Sequence, residues 1–242
     1  DTDGTHFYAV QLDYSGSTLA VGYIGQSSTN DTSKLLVYKY DVEQNKYVKE
    51  FEFVATGDYG RRLQMTLDGK YIVVGGLLYS YLDIFEYDED LGYIRKVHYR
   101  LPDTSGLGGL GISDPYKVGY IIGGTQNGWV IIAYYNATTE EFKVLYQNKE
   151  APDDSWFYNP FYERWIPKVT EVFALCTHRD SSRPGYGIIY DVLTNQTVKI
   201  HFADPGSPQW SAAAVSPEAN YVFVGNTLYM VVKRDVQSGT PR

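Results

Sequence analysis

Cysteine occurs once, at Cys176, so no internal disulfide can form and a disulfide framework is excluded. Cys176 lies in the apolar stretch Val172-Phe-Ala-Leu-Cys-Thr177 and reads as a buried thiol; His178 shares its strand face, but no third member of a nucleophilic triad accompanies them. Histidine occurs four times, at His6, His98, His178 and His201, without metal-ligand spacing, so no metal or cofactor is expected. No apolar run approaches the roughly 20 residues of a membrane-spanning helix, which argues against insertion by that route. Basic residues are the minority, 21 Lys and Arg against 29 Asp and Glu, and pairs such as Arg61-Arg62 never grow into a patch. The resulting net charge of -8 argues against nucleic acid or an anionic membrane as partner.

Tyrosine is abundant instead, with 24 against 10 Phe. Many fall in alternating stretches such as Val37-Tyr-Lys-Tyr-Asp41 and Ile84-Phe-Glu-Tyr-Asp88, where a half-buried ring with a wet hydroxyl suits a sheet face. One phrase recurs at roughly 45–55 residue intervals: an alternating strand, a tight polar turn, then a strand rich in Val, Ile and Gly. Its clearest copies are Leu63-Gln-Met-Thr-Leu-Asp-Gly-Lys-Tyr-Ile-Val-Val-Gly-Gly76, Ala212-Ala-Ala-Val-Ser-Pro-Glu-Ala-Asn-Tyr-Val-Phe-Val-Gly225 and Tyr8-Ala-Val-Gln-Leu-Asp-Tyr-Ser-Gly-Ser-Thr-Leu-Ala-Val-Gly22. Asp68-Gly69 between apolar runs is a strong hairpin signal.

A repeat of that length, with about four strands per unit, predicts an all-β chain forming a single five-bladed β-propeller domain over 1–242. The blades are expected at 7–54, 61–100, 107–148, 166–202 and 210–235, with a non-repetitive insertion at 149–165. The last blade is one strand short, and neither 1–6 nor 238–241 resembles the missing strand, so an incomplete blade with an open edge is expected. Gly106-Leu-Gly-Gly-Leu-Gly111 lacks the Lys-Ser/Thr of a phosphate loop and precedes a strand; it reads as an inner strand passing close to a crowded axis.

The turn-plus-strand phrase resembles the YVTN / WD40-like family of propeller repeats, through Leu67-Asp-Gly-Lys-Tyr-Ile-Val-Val-Gly75, Ser216-Pro-Glu-Ala-Asn-Tyr-Val-Phe-Val224 and Ser15-Gly-Ser-Thr-Leu-Ala-Val21. The Trp-Asp ending of WD40 blades is replaced by Tyr40-Asp41, Tyr87-Asp88 and Tyr190-Asp191. The resemblance implies a secreted or surface-layer interaction protein, with some enzymes among such propellers, and carries over no functional residue.

Three sequons, Asn30-Asp-Thr32, Asn136-Ala-Thr138 and Asn195-Gln-Thr197, predict covalent N-glycans on Asn30, Asn136 and Asn195. With a first residue other than Met, they point to a mature extracellular or cell-surface glycoprotein. The insertion packs six aromatics into ten residues: Trp156, Phe157, Tyr158, Phe161, Tyr162 and Trp165. Such rings, beside Asp153, Asp154, Glu163 and Arg164, suit a protein partner or sugar rings, or a satellite core. The acidic turns Asp88-Glu-Asp-Leu-Gly92 and Asp1-Thr-Asp-Gly4 are too short for a complete calcium loop. Hydrolysis across a central channel needs facing carboxylates, whereas the expected inner strands are small or neutral, and Asp13, Asp68 and Asp114 sit at turns that explain them. The sequence therefore reads as a non-enzymatic structural or protein–protein interaction module, a glycosylated building block of a surface layer, sheath or filament. Its partners would be further copies of itself or another extracellular protein. The competing reading is a carbohydrate-binding or glycoside-cleaving propeller using 153–165.

Overall fold

A computed structural model describes residues 6–24, 32–76, 78–102, 106–125 and 128–149, and the strand backbones at 171–176, 186–191, 196–201, 213–215, 221–224 and 227–230. The regular elements among them are all strands. The first sheet comprises β1 (His6–Leu12), β2 (Thr18–Ile24), β3 (Thr32–Asp41) and β4 (Lys46–Thr56). The second comprises β5 (Arg62–Met65), β6 (Tyr71–Gly75), β7 (Tyr81–Asp88) and β8 (Gly92–Arg100). The third comprises β9 (Leu107–Asp114), β10 (Val118–Thr125), β11 (Trp129–Asn136) and β12 (Glu141–Lys149). Two three-stranded sheets follow: β13 (Glu171–Cys176), β14 (Tyr186–Asp191) and β15 (Gln196–His201), then β16 (Ala213–Val215), β17 (Tyr221–Val224) and β18 (Thr227–Met230). All five are antiparallel meanders, and the fold is propeller-like, as the repeat implied. The insertion 149–165 and the start of the blade expected at 166–202 lie outside the described residues, save Lys149 at the end of β12.

The first strands of successive sheets are neighbours: β5 packs between β1 and β9. Their hairpin turns are joined by backbone hydrogen bonds. The Tyr14 N–H donates to the Leu67 carbonyl at 2.7 Å, and the Leu67 N–H donates to the Pro115 carbonyl at 2.7 Å. Pro115 has no N–H with which to pass the ladder on from its own position. Each turn is locked by its own short polar side chains. Asp13 Oδ1 accepts the Thr18 N–H at 3.0 Å in the first sheet, and Thr66 Oγ1 accepts the Tyr71 N–H at 2.9 Å in the second. Asp114 Oδ1 caps the third turn by accepting from Tyr116 and Lys117. The recurring turn aspartates thus serve as hairpin locks.

Because sheets pack face to face, inner strands must be apolar on both sides and slim where they cross. One core cluster joins Ala20, Leu35 and Val37 of the first sheet to Leu63, Met65, Ile72, Val74 and Phe85 of the second. A second joins Tyr71, Val73 and Ile84 to Leu110, Ile121, Ile131 and Tyr135 of the third. Between the first two sheets the backbones touch: a Cβ on Gly22 would fall onto the carbonyl oxygen of Gly60. The Leu107 side chain fills a slot in which a Cβ on Gly75 or Gly123 would lie 2.7 Å from its methyls. The glycines of this region make room for leucine packing as well as for close strands.

Gly22→Ala should therefore destabilise the fold by about 3 kcal/mol, since rigid backbone cannot yield. Gly16→Ala, with open space around its Cβ but φ +74°, should cost only about 1 kcal/mol. Chemical denaturation of both variants checks the contrast.

Candidate functional site

Three places on the described surface could carry function: an uncovered sheet face, a polar groove at the turn end, and a buried carboxylate network.

The uncovered face belongs to the first sheet. Its register pairs Val10 with Val21 and Leu12 with Leu19. In the second sheet the corresponding pairs are Leu63 with Val74 and Met65 with Ile72. Leu63 and Met65 are 4% and 8% exposed because the first sheet covers them, whereas Val10 and Leu12 are 57% and 53% exposed. Phe7, paired with Tyr23, is 63% exposed on the same face. Leu36, paired with Val21, lies buried at its centre. The alternation that builds a packed face is thus present in β1, with Val10 and Leu12 more than half exposed beside the buried Val21 and Leu36.

The groove, of about 680 Å³, runs past the β5–β6 and β7–β8 turns and is lined by Lys39, Lys70, Glu86, Lys96 and Glu140 among others. At its centre Glu86 accepts from the Tyr71 hydroxyl at 2.8 Å, with Lys70 Nζ at 3.1 Å and Lys96 Nζ at 3.6 Å. Lys96 also reaches Glu140 at 2.8 Å. Lys39 donates to Thr18 Oγ1 at 2.8 Å and lies 4.5 Å over the Tyr87 ring. Burial pushes the Glu86 carboxyl up, but the Tyr71 hydrogen bond and the two ammonium groups outweigh it and hold it below the ordinary glutamate value. Such a carboxylate is a weak proton acceptor, so the groove offers charge and hydrogen bonds and is poorly suited to general-base chemistry.

The network centres on Asp83 of β7, which is fully buried. Its Oδ2 accepts from the Tyr79 hydroxyl at 3.0 Å, and its Oδ1 lies 2.6 Å from His98 Nδ1. The carboxylate thereby assigns the Nδ1 position as the protonated one. The His98 ring stacks on Tyr81, with centroids 4.2 Å apart and planes 11° from parallel. Burial and then the Asp83 charge push the Tyr79 hydroxyl well above its ordinary value, keeping it a donor. The network ties β7, β8 and the approach to β7 together, next to Tyr59, whose ring meets Tyr79 edge-on at 4.7 Å. The sequence signal for it is a carboxylate inside the apolar run Leu82-Asp83-Ile84-Phe85, less conspicuous than the aromatic insertion.

Among the residues singled out by sequence, Asn136 closes β11, half-buried, with its Oδ1 accepting the Thr138 N–H at 2.9 Å. Asn30, Asn195, Trp156, Phe157, Tyr158, Phe161, Tyr162 and Trp165 lie outside the described residues. Asp88 Oδ1 caps its own hairpin by accepting from Asp90 and Leu91.

The sequence matches no protein-family model and no curated protein. Solved structures do match, 463 chains in all, so the fold by itself selects no activity. Sqt1 from Chaetomium thermophilum is 17% identical with a TM-score of 0.69, over 99% of this chain and 61% of that one. Sqt1 from Saccharomyces cerevisiae is 12% identical with a TM-score of 0.65, over 98% and 65%. A Bacteroides uniformis protein provisionally assigned as a 6-phosphogluconolactonase is 14% identical with a TM-score of 0.61, over 96% and 69%. The chain thus spans less than two thirds of the length of either Sqt1 chain. At these identities the likeness is one of fold alone.

Asp83→Ala should cost about 3 kcal/mol of stability by stranding the Tyr79 and His98 donors, as measured by chemical denaturation. Glu86 has a lowered folded-state pKa, so its contribution is full above the ordinary glutamate value near 4.5 and fades as pH falls through the folded value. Glu86→Gln should therefore be about 1–2 kcal/mol less stable than wild type at pH 7, with the gap closing in acid, in melts recorded from pH 7 to pH 3.

Proposed function

We propose that the chain is a non-enzymatic extracellular interaction module, a five-bladed unit of the secreted YVTN / WD40-like type with an incomplete last blade. In this reading it self-associates as a glycosylated building block of a surface layer, sheath or filament, with N-glycans on Asn30, Asn136 and Asn195. The observation that carries the reading is the uncovered apolar face around Phe7, Val10 and Leu12. Contiguous exposed apolar surface is costly in water and marks interaction sites. Val10 and Leu12 occupy register positions that are closed elsewhere in the same fold. The lysine-bound state of Glu86 favours recognition over proton transfer in the groove. The compartment rests on the sequons, of which Asn136 occupies a hairpin turn with its Oδ1 engaged by the backbone.

Native mass spectrometry of protein purified from its source, before and after enzymatic glycan removal, tests both halves. Oligomers whose subunit mass falls on glycan removal are expected. A bare monomer would overturn the reading, and sugar-free oligomers would overturn the extracellular half alone.

A further inference from the structure

We propose that the turn end of the first three sheets is a docking surface for a basic segment of another protein. That segment seats an apolar side chain on the inner hairpin turns and places its lysines or arginines over the adjoining groove. The surface is separate from the face around Phe7, Val10 and Leu12 and does not depend on self-association.

The apolar half is built by the turn-to-turn ladder. Its two backbone bonds of 2.7 Å hold Tyr14, Leu67 and Pro115 side by side at the tips of three hairpins. These tips project beyond the packed faces, so their side chains have no core to enter. Tyr14 is 86% exposed, Tyr116 54% and Leu67 38%, and Pro115 is exposed beside them. Hairpin tips are ordinarily polar, and a row of exposed rings and methyls at equivalent turns is the kind of surface that a partner desolvates. The ladder fixes the backbone beneath the row, so little entropy is lost when the row is covered.

The groove begins at the next residue, Asp68, and decides the charge of the occupant. Six carboxylates line it against three lysines. The lysines are already engaged: Lys70 with Glu86, Lys96 with Glu86 and Glu140, and Lys39 with Thr18 and the Tyr87 ring. Asp68, Asp88, Glu89 and Asp90 have no cation in ion-pair contact among the described residues. Asp68 and Asp88 each use one oxygen within their own turns, accepting from the Lys70 and Leu91 N–H groups. Glu89 and Asp90 stand exposed in the β7–β8 turn at the groove wall. The uncompensated charge of the groove is therefore all negative.

Complementarity then requires cations from the partner. No group of carboxylates among the described residues is compact enough to hold a metal ion, which leaves ammonium and guanidinium side chains as the match. A second copy of this chain is a poor source, because basic pairs such as Arg61-Arg62 never grow into a patch. Nucleic acid would be repelled by the same carboxylates. The apolar row supplies contact area, and the groove selects which segments can use it.

An array of random-sequence peptides, probed with the labelled full chain at several salt concentrations, tests this, with fluorescence anisotropy on the peptides retained. Those peptides are expected to combine lysine or arginine with a leucine or aromatic residue, and to be released as salt rises. Glu89→Lys should weaken their binding by about 10-fold. The control joins Val54→Lys to Leu78→Lys, adding the same charge at exposed positions toward the opposite end of the sheets, and should weaken binding by about 2-fold at most. Tyr14→Ser should abolish the preference for an apolar side chain while leaving the binding of peptides of lysine and glycine unchanged. Circular dichroism melts confirm that each variant folds, and Tyr116→Ser replaces Tyr14→Ser should that variant not fold. An array that retains nothing, or that retains acidic or uncharged peptides, would overturn the proposal. Equal losses in Glu89→Lys and the control would mean attraction to net charge alone and would overturn it too. An apolar preference that survives Tyr14→Ser would remove the hairpin row from the surface and with it the proposal.

Discussion

A sheet that is apolar on both faces must be covered on both, and that requirement governs this molecule. Water tolerates a one-sided sheet, but β6 alternates between two buried sets of side chains, Ile72 and Val74 toward the first sheet and Tyr71 and Val73 toward the third. Met65 and Leu63 face back to the first sheet, while Tyr71 and Val73 face forward to the third. The distance between sheets is then set by the thinnest points, where Gly22 meets Gly60 and Leu107 enters its slot beside Gly75 and Gly123. Propagation from one sheet to the next is what makes the fold propeller-like. On the first sheet Phe7, Val10 and Leu12 keep an apolar patch exposed.

Polar groups are placed where the stack permits them. The inner hairpin turns project beyond the packed faces, so Asp13, Asp68 and Asp114 spend their oxygens on local N–H and hydroxyl groups. Asp83 is the exception. It sits inside the layer, and its burial is tolerated because Tyr79 and His98 supply donors from two directions. Glu86, further along the same strand, reaches the turn end, where two lysines and a phenol compensate it. A single strand thus carries one carboxylate that cross-links the layer and another that organises the groove.

Strand placement was largely legible in the residues. The Asp68-Gly69 turn read from sequence does join β5 to β6, because alternation and turn chemistry act over a handful of neighbours. The recurring turn aspartates were correctly read as parts of hairpins. The Gly106–Gly111 segment was read as an approach to the axis, and the structure adds that facing glycines open the slot for Leu107. The candidate sites were less legible. The aromatic cluster at 156–165 is conspicuous in sequence, whereas Asp83 with His98 and Glu86 with Lys70 and Lys96 look like ordinary strand residues until the sheets pair them.

By itself the sequence determined the repeat, the hairpins, the sequons and the apolar alternation of β1, since each depends on residues close together in the chain. Tertiary structure alone decided that the alternation of β1 ends in an uncovered face while the same pattern in β5 is closed. It also decided which carboxylates meet a histidine or a lysine, and where the turns of three sheets join into one ladder. Those outcomes depend on which sheet abuts which, across separations of some 50 residues, as with the Tyr14–Leu67 and Leu67–Pro115 bonds. Similar local patterns end with different exposure, as Val10 and Leu12 do beside Leu63 and Met65.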